Sequence, residues 1–96
     1  VYSIKLLERA EKELFDACEW YEEKQQGLSA RFLREINRYI TIISKNPQIY
    51  QIKGYEDLRF APLKVFPYVL IYWYDDNLGN VYITSVFHTK RKPFVR

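Results

Sequence analysis

Apolar residues Leu7, Ala10, Leu14, Ala17, Cys18 and Tyr21 recur at steps of three and four, which places them on one stripe of a helix ending near Lys24. Gln25-Gln26-Gly27 interrupts that pattern, and Phe32, Ile36, Tyr39, Ile40 and Ile43 then repeat the spacing in a second helix. Ser29 is a candidate N-cap for it, and Asn46-Pro47 closes its C-terminus. So short a connection predicts an antiparallel helical hairpin. Its outward positions include Glu8 with Lys12 and Arg31 with Glu35, four apart and of opposite sign, the spacing of solvated pairs contributing ~0.2–0.5 kcal/mol each.

Beyond Pro47 the period changes to two. The stretch from Leu58 to Leu63 reads as a strand whose Pro62 requires an edge position or a bulge. From Tyr68 to Tyr74, Val69, Ile71 and Trp73 alternate with Tyr68, Leu70, Tyr72 and Tyr74, so both faces are apolar and the strand should be central. Asp75 to Asn80 is rich in residues that tolerate positive φ, predicting a hairpin loop from which Val81 to His88 returns antiparallel. The start, Val1-Tyr2-Ser3-Ile4-Lys5, alternates like a strand rather than resembling a signal peptide. The predicted order is β-α-α-β-β-β, an α+β unit with the helical hairpin packed on one face of a small antiparallel sheet. The other face is then left to bind a partner.

Length and composition fit one domain over residues 1–96, since a chain of this size gains little by splitting its core. An apolar fraction of 48% excludes a disordered chain, and no stretch approaches the ~18–20 apolar residues that span a bilayer. Nine tyrosines suit half-buried positions at a binding face as well as core packing. The lone Cys18 cannot form an intramolecular disulfide, which points to a reducing compartment and so to the cytoplasm. Residues 58–96 hold six basic and two acidic groups against nine and ten in residues 1–57, an imbalance that suggests an anionic partner for the strand half.

Several short segments then combine: Trp20-Tyr21-Glu22, Arg31-Phe32, Asn46-Pro47, Arg59, Phe66-Pro67-Tyr68 with Ile71-Tyr72, and Val86-Phe87-His88-Thr89-Lys90-Arg91-Lys92-Pro93. In this order, and across nearly the whole chain, they resemble the RelE/ParE superfamily of type II toxins, closer to its ParE-like branch. The resemblance implies a small bacterial toxin that arrests growth and is neutralised by a cognate antitoxin encoded beside it. RelE-like members cut mRNA in the ribosomal A site, whereas ParE-like members poison DNA gyrase without chemistry of their own.

Metal-free RNA cleavage needs a proton acceptor, a proton donor and fixed cations around the phosphate. Arg59, Lys64, Lys90 and Arg91 could supply the cations, and Glu56 is the nearest carboxylate for a base. The only histidine, His88, has the side chain whose ordinary pKa suits proton transfer near neutrality, and the resemblance makes it the candidate general acid. A lone His at a strand end is nevertheless more often a hydrogen-bonded structural residue. The sequence also departs from the ribonuclease pattern, with no cation from Tyr68 to Tyr74 and with Phe94 lacking the hydroxyl of a terminal Tyr. This favours a non-enzymatic toxin.

Candidate contacts to target or antitoxin are Arg59, Lys90, Arg91, Lys92, Tyr72, Tyr74 and Trp20, although for the tyrosines core packing competes with such a role and the basic run could be a solvated tail. One His and one Cys far apart cannot assemble a metal site, and no phosphate-binding Gly-rich loop or nucleophile constellation is present. No cofactor, small-molecule substrate or membrane partner is expected.

Overall fold

A computed structural model describes residues 1–54 and 56–90. The elements are β1 (Ser3–Leu6), α1 (Glu8–Lys24), α2 (Leu28–Lys45), β2 (Arg59–Pro62), β3 (Tyr68–Asp75) and β4 (Asn80–His88), in the expected order. The sheet runs β1-β4-β3-β2, so β3 is interior and Pro62 lies on an edge strand, where its missing N–H breaks no central ladder. β2, β3 and β4 are antiparallel. β1 instead pairs parallel with β4, from Ser3 opposite Asn80 to Leu6 opposite Ile83, and the sheet is therefore mixed. The hairpin carries the chain across the sheet between β1 and the later strands, which makes a parallel pairing sterically accessible.

Both helices pack on one face. α1 approaches β4 through Ala10 and Ala17, both buried, and their small side chains leave room for Leu14 and Tyr21 on the same stripe. α2 contributes Phe32, Ile36, Tyr39 and Ile43. From the sheet come Ala61, Tyr68, Leu70, Tyr72, Val81, Ile83 and Val86. Phe32 lies at the centre of an aromatic cluster, its ring centroid 5.1 Å from those of Tyr21, Phe66 and Tyr68.

The opposite face is not bare. Leu58, Val69 and Ile71 form a second small apolar cluster there with Phe60 and Phe87 packed against it, and Ile71 is fully buried. Beside this cluster Trp73 stacks on Tyr82 with ring centroids 4.4 Å apart. The strand alternation is as expected, but the second face carries apolar and aromatic groups where cations were anticipated.

Two local details differ from the sequence expectation. Ser29 is not the N-cap: α2 starts at Leu28 after Gly27, whose φ of 87° favours a residue without Cβ. The capping acceptor comes from the preceding helix, where the Glu22 carboxylate accepts the Gly27 amide at 3.0 Å, the Ser29 amide at 3.2 Å and the Ser29 hydroxyl at 2.7 Å. These bonds hold the Glu22 carboxyl below the usual carboxylate range, the Gly27 amide contributing most. The ion pairs are also shifted in register: Lys12 pairs with Asp16, Arg9 with Glu13, and Glu35 with Arg38.

Candidate interaction surface

Arg59 opens β2 opposite Tyr72 and projects to the helix-covered side of the sheet. Its guanidinium donates to the Tyr50 carbonyl at 2.7 Å and the Gln48 carbonyl at 3.3 Å, and lies 5.5 Å from the Tyr74 ring centroid. Those bonds fasten the loop after α2 to the sheet, a structural use of the side chain. Tyr72, expected to offer its ring to a partner, is fully buried and donates its hydroxyl to the Pro47 carbonyl at 2.7 Å. Burial pushes its phenol up to about 12. It is a core residue, because the face shared with Leu70 is the one the helices cover. Tyr74 lies at the rim of that face, half-buried, edge-on to Tyr2 at 5.8 Å.

The remaining candidates gather at the other end of β2 and β3. Leu63 donates its amide to the Tyr68 carbonyl, Tyr68 pairs with His88 across the ladder, and the Thr89 amide returns to the Pro67 carbonyl at 2.9 Å. Lys64, His88 and Lys90 therefore share one end of the sheet, with both lysines exposed. Arg59 stands four ladder positions away, roughly 13 Å at ~3.3 Å per residue. The His88 ring packs edge-on against Tyr68 with centroids 4.9 Å apart, and its Nδ1 accepts the Lys90 amide at 3.2 Å. Glu56 sits with Asp57 in the exposed hairpin before β2, both at positive φ (63° and 58°). Arg91 and Lys92 lie outside the described residues, as does Phe94.

Trp20 is exposed on α1, edge-on to Tyr21 at 5.3 Å, with the Lys24 ammonium 4.8 Å from its ring centroid. Cys18 is half-buried, and burial raises its thiol, which disfavours the reactive thiolate. Among the described residues no group of three His, Cys, Asp or Glu is placed to hold a metal ion.

One feature escaped the sequence expectations. Charge divides within the hairpin, for α1 carries seven acidic and three basic residues while α2 carries four basic and one acidic. Arg31, Arg34 and Arg38 fall at i, i+3 and i+7, hence on one face of α2. They line an open groove of about 580 Å³ whose far wall is Val65 and Phe66. The groove is held together by Glu35, 8% exposed, which accepts the Val65 amide at 2.8 Å and the Arg38 guanidinium at 3.2 Å. Lys64 precedes Val65, so the loop that forms the far wall of the groove also carries one of the sheet-end lysines. The spacing of the arginines was a readable signal; the loop that completes the groove was not.

A helical hairpin on one face of a four-stranded mixed sheet is the build of RelE/ParE-superfamily toxins. The chain belongs to the family described as the ParE toxin of the type II toxin–antitoxin system parDE, whose model matches residues 4–93. Its fold is similar to that in the chromosomal ParDE system of P. aeruginosa, with a TM-score of 0.78 at 12% identity over 93% of this chain and 97% of the other. It is also similar to the intact E. coli RelBE toxin–antitoxin complex, with a TM-score of 0.70 at 22% identity over 95% and 100% of the two chains. The isolated E. coli RelE toxin matches with a TM-score of 0.69 at 22% identity over 96% and 88%. No curated protein sequence gives a significant match. Among the described residues no helix is long and apolar enough to cross a membrane.

Proposed function

We propose that this toxin acts in the cytoplasm by binding DNA gyrase, without chemistry of its own, and that a cognate antitoxin silences it. The observation that carries this reading is the separation of Arg59 from the other candidate catalytic groups. Arg59 is committed to the Gln48 and Tyr50 carbonyls and its guanidinium lies beside Tyr74, while its backbone stands roughly 13 Å along the ladder from the His88 end, so this cation is held away from His88. Membership of the ParE family supports the same target. Lys90 with Arg91 and Lys92, and the exposed Trp20, are the proposed contacts to target or antitoxin.

The alternative, a ribosome-dependent mRNA endoribonuclease, draws on one observation: His88, Lys64 and Lys90 share an end of the sheet, where an acid and two cations could meet RNA. Purified toxin incubated with gyrase, and separately with ribosomes and mRNA, distinguishes the two. Loss of supercoiling activity with intact mRNA supports the gyrase reading, whereas cleavage that requires ribosomes overturns it.

A further inference from the structure

The groove on α2 offers three exposed arginines along about 10 Å of helix, at ~1.5 Å per residue between Arg31 and Arg38. Arginine's planar fork pairs with carboxylates through two parallel hydrogen bonds, so such a row selects an anionic partner. One feature of the same groove selects the kind of anion: Val65 is 63% exposed at its rim, an apolar surface that a phosphate backbone leaves unused. A peptide bearing spaced carboxylates and one apolar side chain satisfies the arginine row and this surface together.

From this charge and apolar complementarity we infer that the groove between α2 and the Lys64–Phe66 loop seats an acidic segment of the antitoxin, with an apolar side chain against Val65 and carboxylates on Arg31 and Arg34. The inference rests on the reading that this toxin has an antitoxin, and it assigns that partner a surface that begins beside Lys64 and follows α2. Glu35 acts as the positioning residue. By accepting the Val65 amide it holds the apolar wall at a fixed distance from the arginine row.

Calorimetric titration of the toxin with the protein encoded by the neighbouring reading frame, and with overlapping peptides of that protein, tests the assignment. Arg31→Glu/Arg34→Glu is expected to weaken binding at least roughly tenfold, and Val65→Glu to weaken it as well, because both introduce like charge against the segment. Lys12→Glu/Lys53→Glu, which changes net charge equally at exposed positions away from the groove, should leave affinity within about twofold. All three sites are on the surface, and circular dichroism verifies that the variants are folded. The binding peptide should carry at least two acidic residues and an apolar one. Unchanged affinity in Arg31→Glu/Arg34→Glu, equal loss in the control pair, or a binding peptide without acidic residues would overturn the groove assignment while leaving the antitoxin reading intact. Absence of any complex with the unmodified toxin would overturn the antitoxin reading, and the assignment with it.

Discussion

Glu13 on α1 completes the edge of β4 at Val86, accepting its backbone amide at 2.9 Å. The same oxygen accepts the Ser85 hydroxyl at 2.7 Å. β1 ends at Leu6, opposite Ile83, so the β4 edge beyond it has no strand partner, and a helix side chain takes that place. Ser85 is fully buried.

Removing this acceptor should be costly. Glu13→Ala leaves a buried hydroxyl and amide unsatisfied and is expected to lower stability by about 1–3 kcal/mol. Glu13→Gln keeps a carbonyl oxygen and should lose less. Urea unfolding midpoints of the two variants measure the difference, and equal losses would mean that charge, not hydrogen bonding, is what the site requires.

Phe32 is fully buried and touches three other rings. Phe32→Ala is expected to destabilise the domain by about 3–5 kcal/mol, through lost burial plus the cavity left behind. In a chain of this size that is a large share of a total near ~5–15 kcal/mol. Thermal unfolding followed by circular dichroism should show a strongly lowered midpoint.

The buried Tyr72 sets an alkaline limit. Its phenol ionises near 10 in the unfolded chain and is pushed up to about 12 in the fold, so the folded state holds this proton more tightly. Its stabilising effect is complete below pH 10 and is lost as pH rises from about 10 to 12. Tyr72→Phe should make the alkaline fall in stability shallower, at the cost of about 1 kcal/mol near neutrality from the lost bond to Pro47. Denaturant midpoints at pH 8 and at pH 11 are the measurement.

Glu22 works in the opposite direction. Its carboxyl is held below the ordinary 4.5, so the stability it contributes is present above that value and is lost as pH falls through the lower folded value. Glu22→Gln should flatten the acid side of the stability profile below pH 4.5 and leave the alkaline side unchanged. An unaltered acid limb would show that the Gly27 and Ser29 amides find other acceptors.

The order of elements was legible because each one repeats its own period: Phe32, Ile36, Tyr39 and Ile43 can form a buried stripe only in a helix, and Val69, Ile71 and Trp73 share a face only in a strand. Alternation does not say which face of β3 the helices cover when both are apolar, and for that reason Tyr72 read as a surface ring although it is core. Arg59 read as a free cation because its acceptors, the Gln48 and Tyr50 carbonyls, come from a loop whose path is set by tertiary packing. The parallel placement of β1 is likewise a long-range matter. Cations expected with the strand half lie instead at one sheet end, while a further arginine row stands on α2; the family assignment rests on the match over residues 4–93.

Gyrase supercoiling assayed with purified toxin and with its His88→Ala variant is the most direct test of action by binding. Both proteins should inhibit supercoiling to the same extent, and neither should cut ribosome-bound mRNA. Intact gyrase activity, together with ribosome-dependent mRNA cleavage that His88→Ala abolishes, would contradict it.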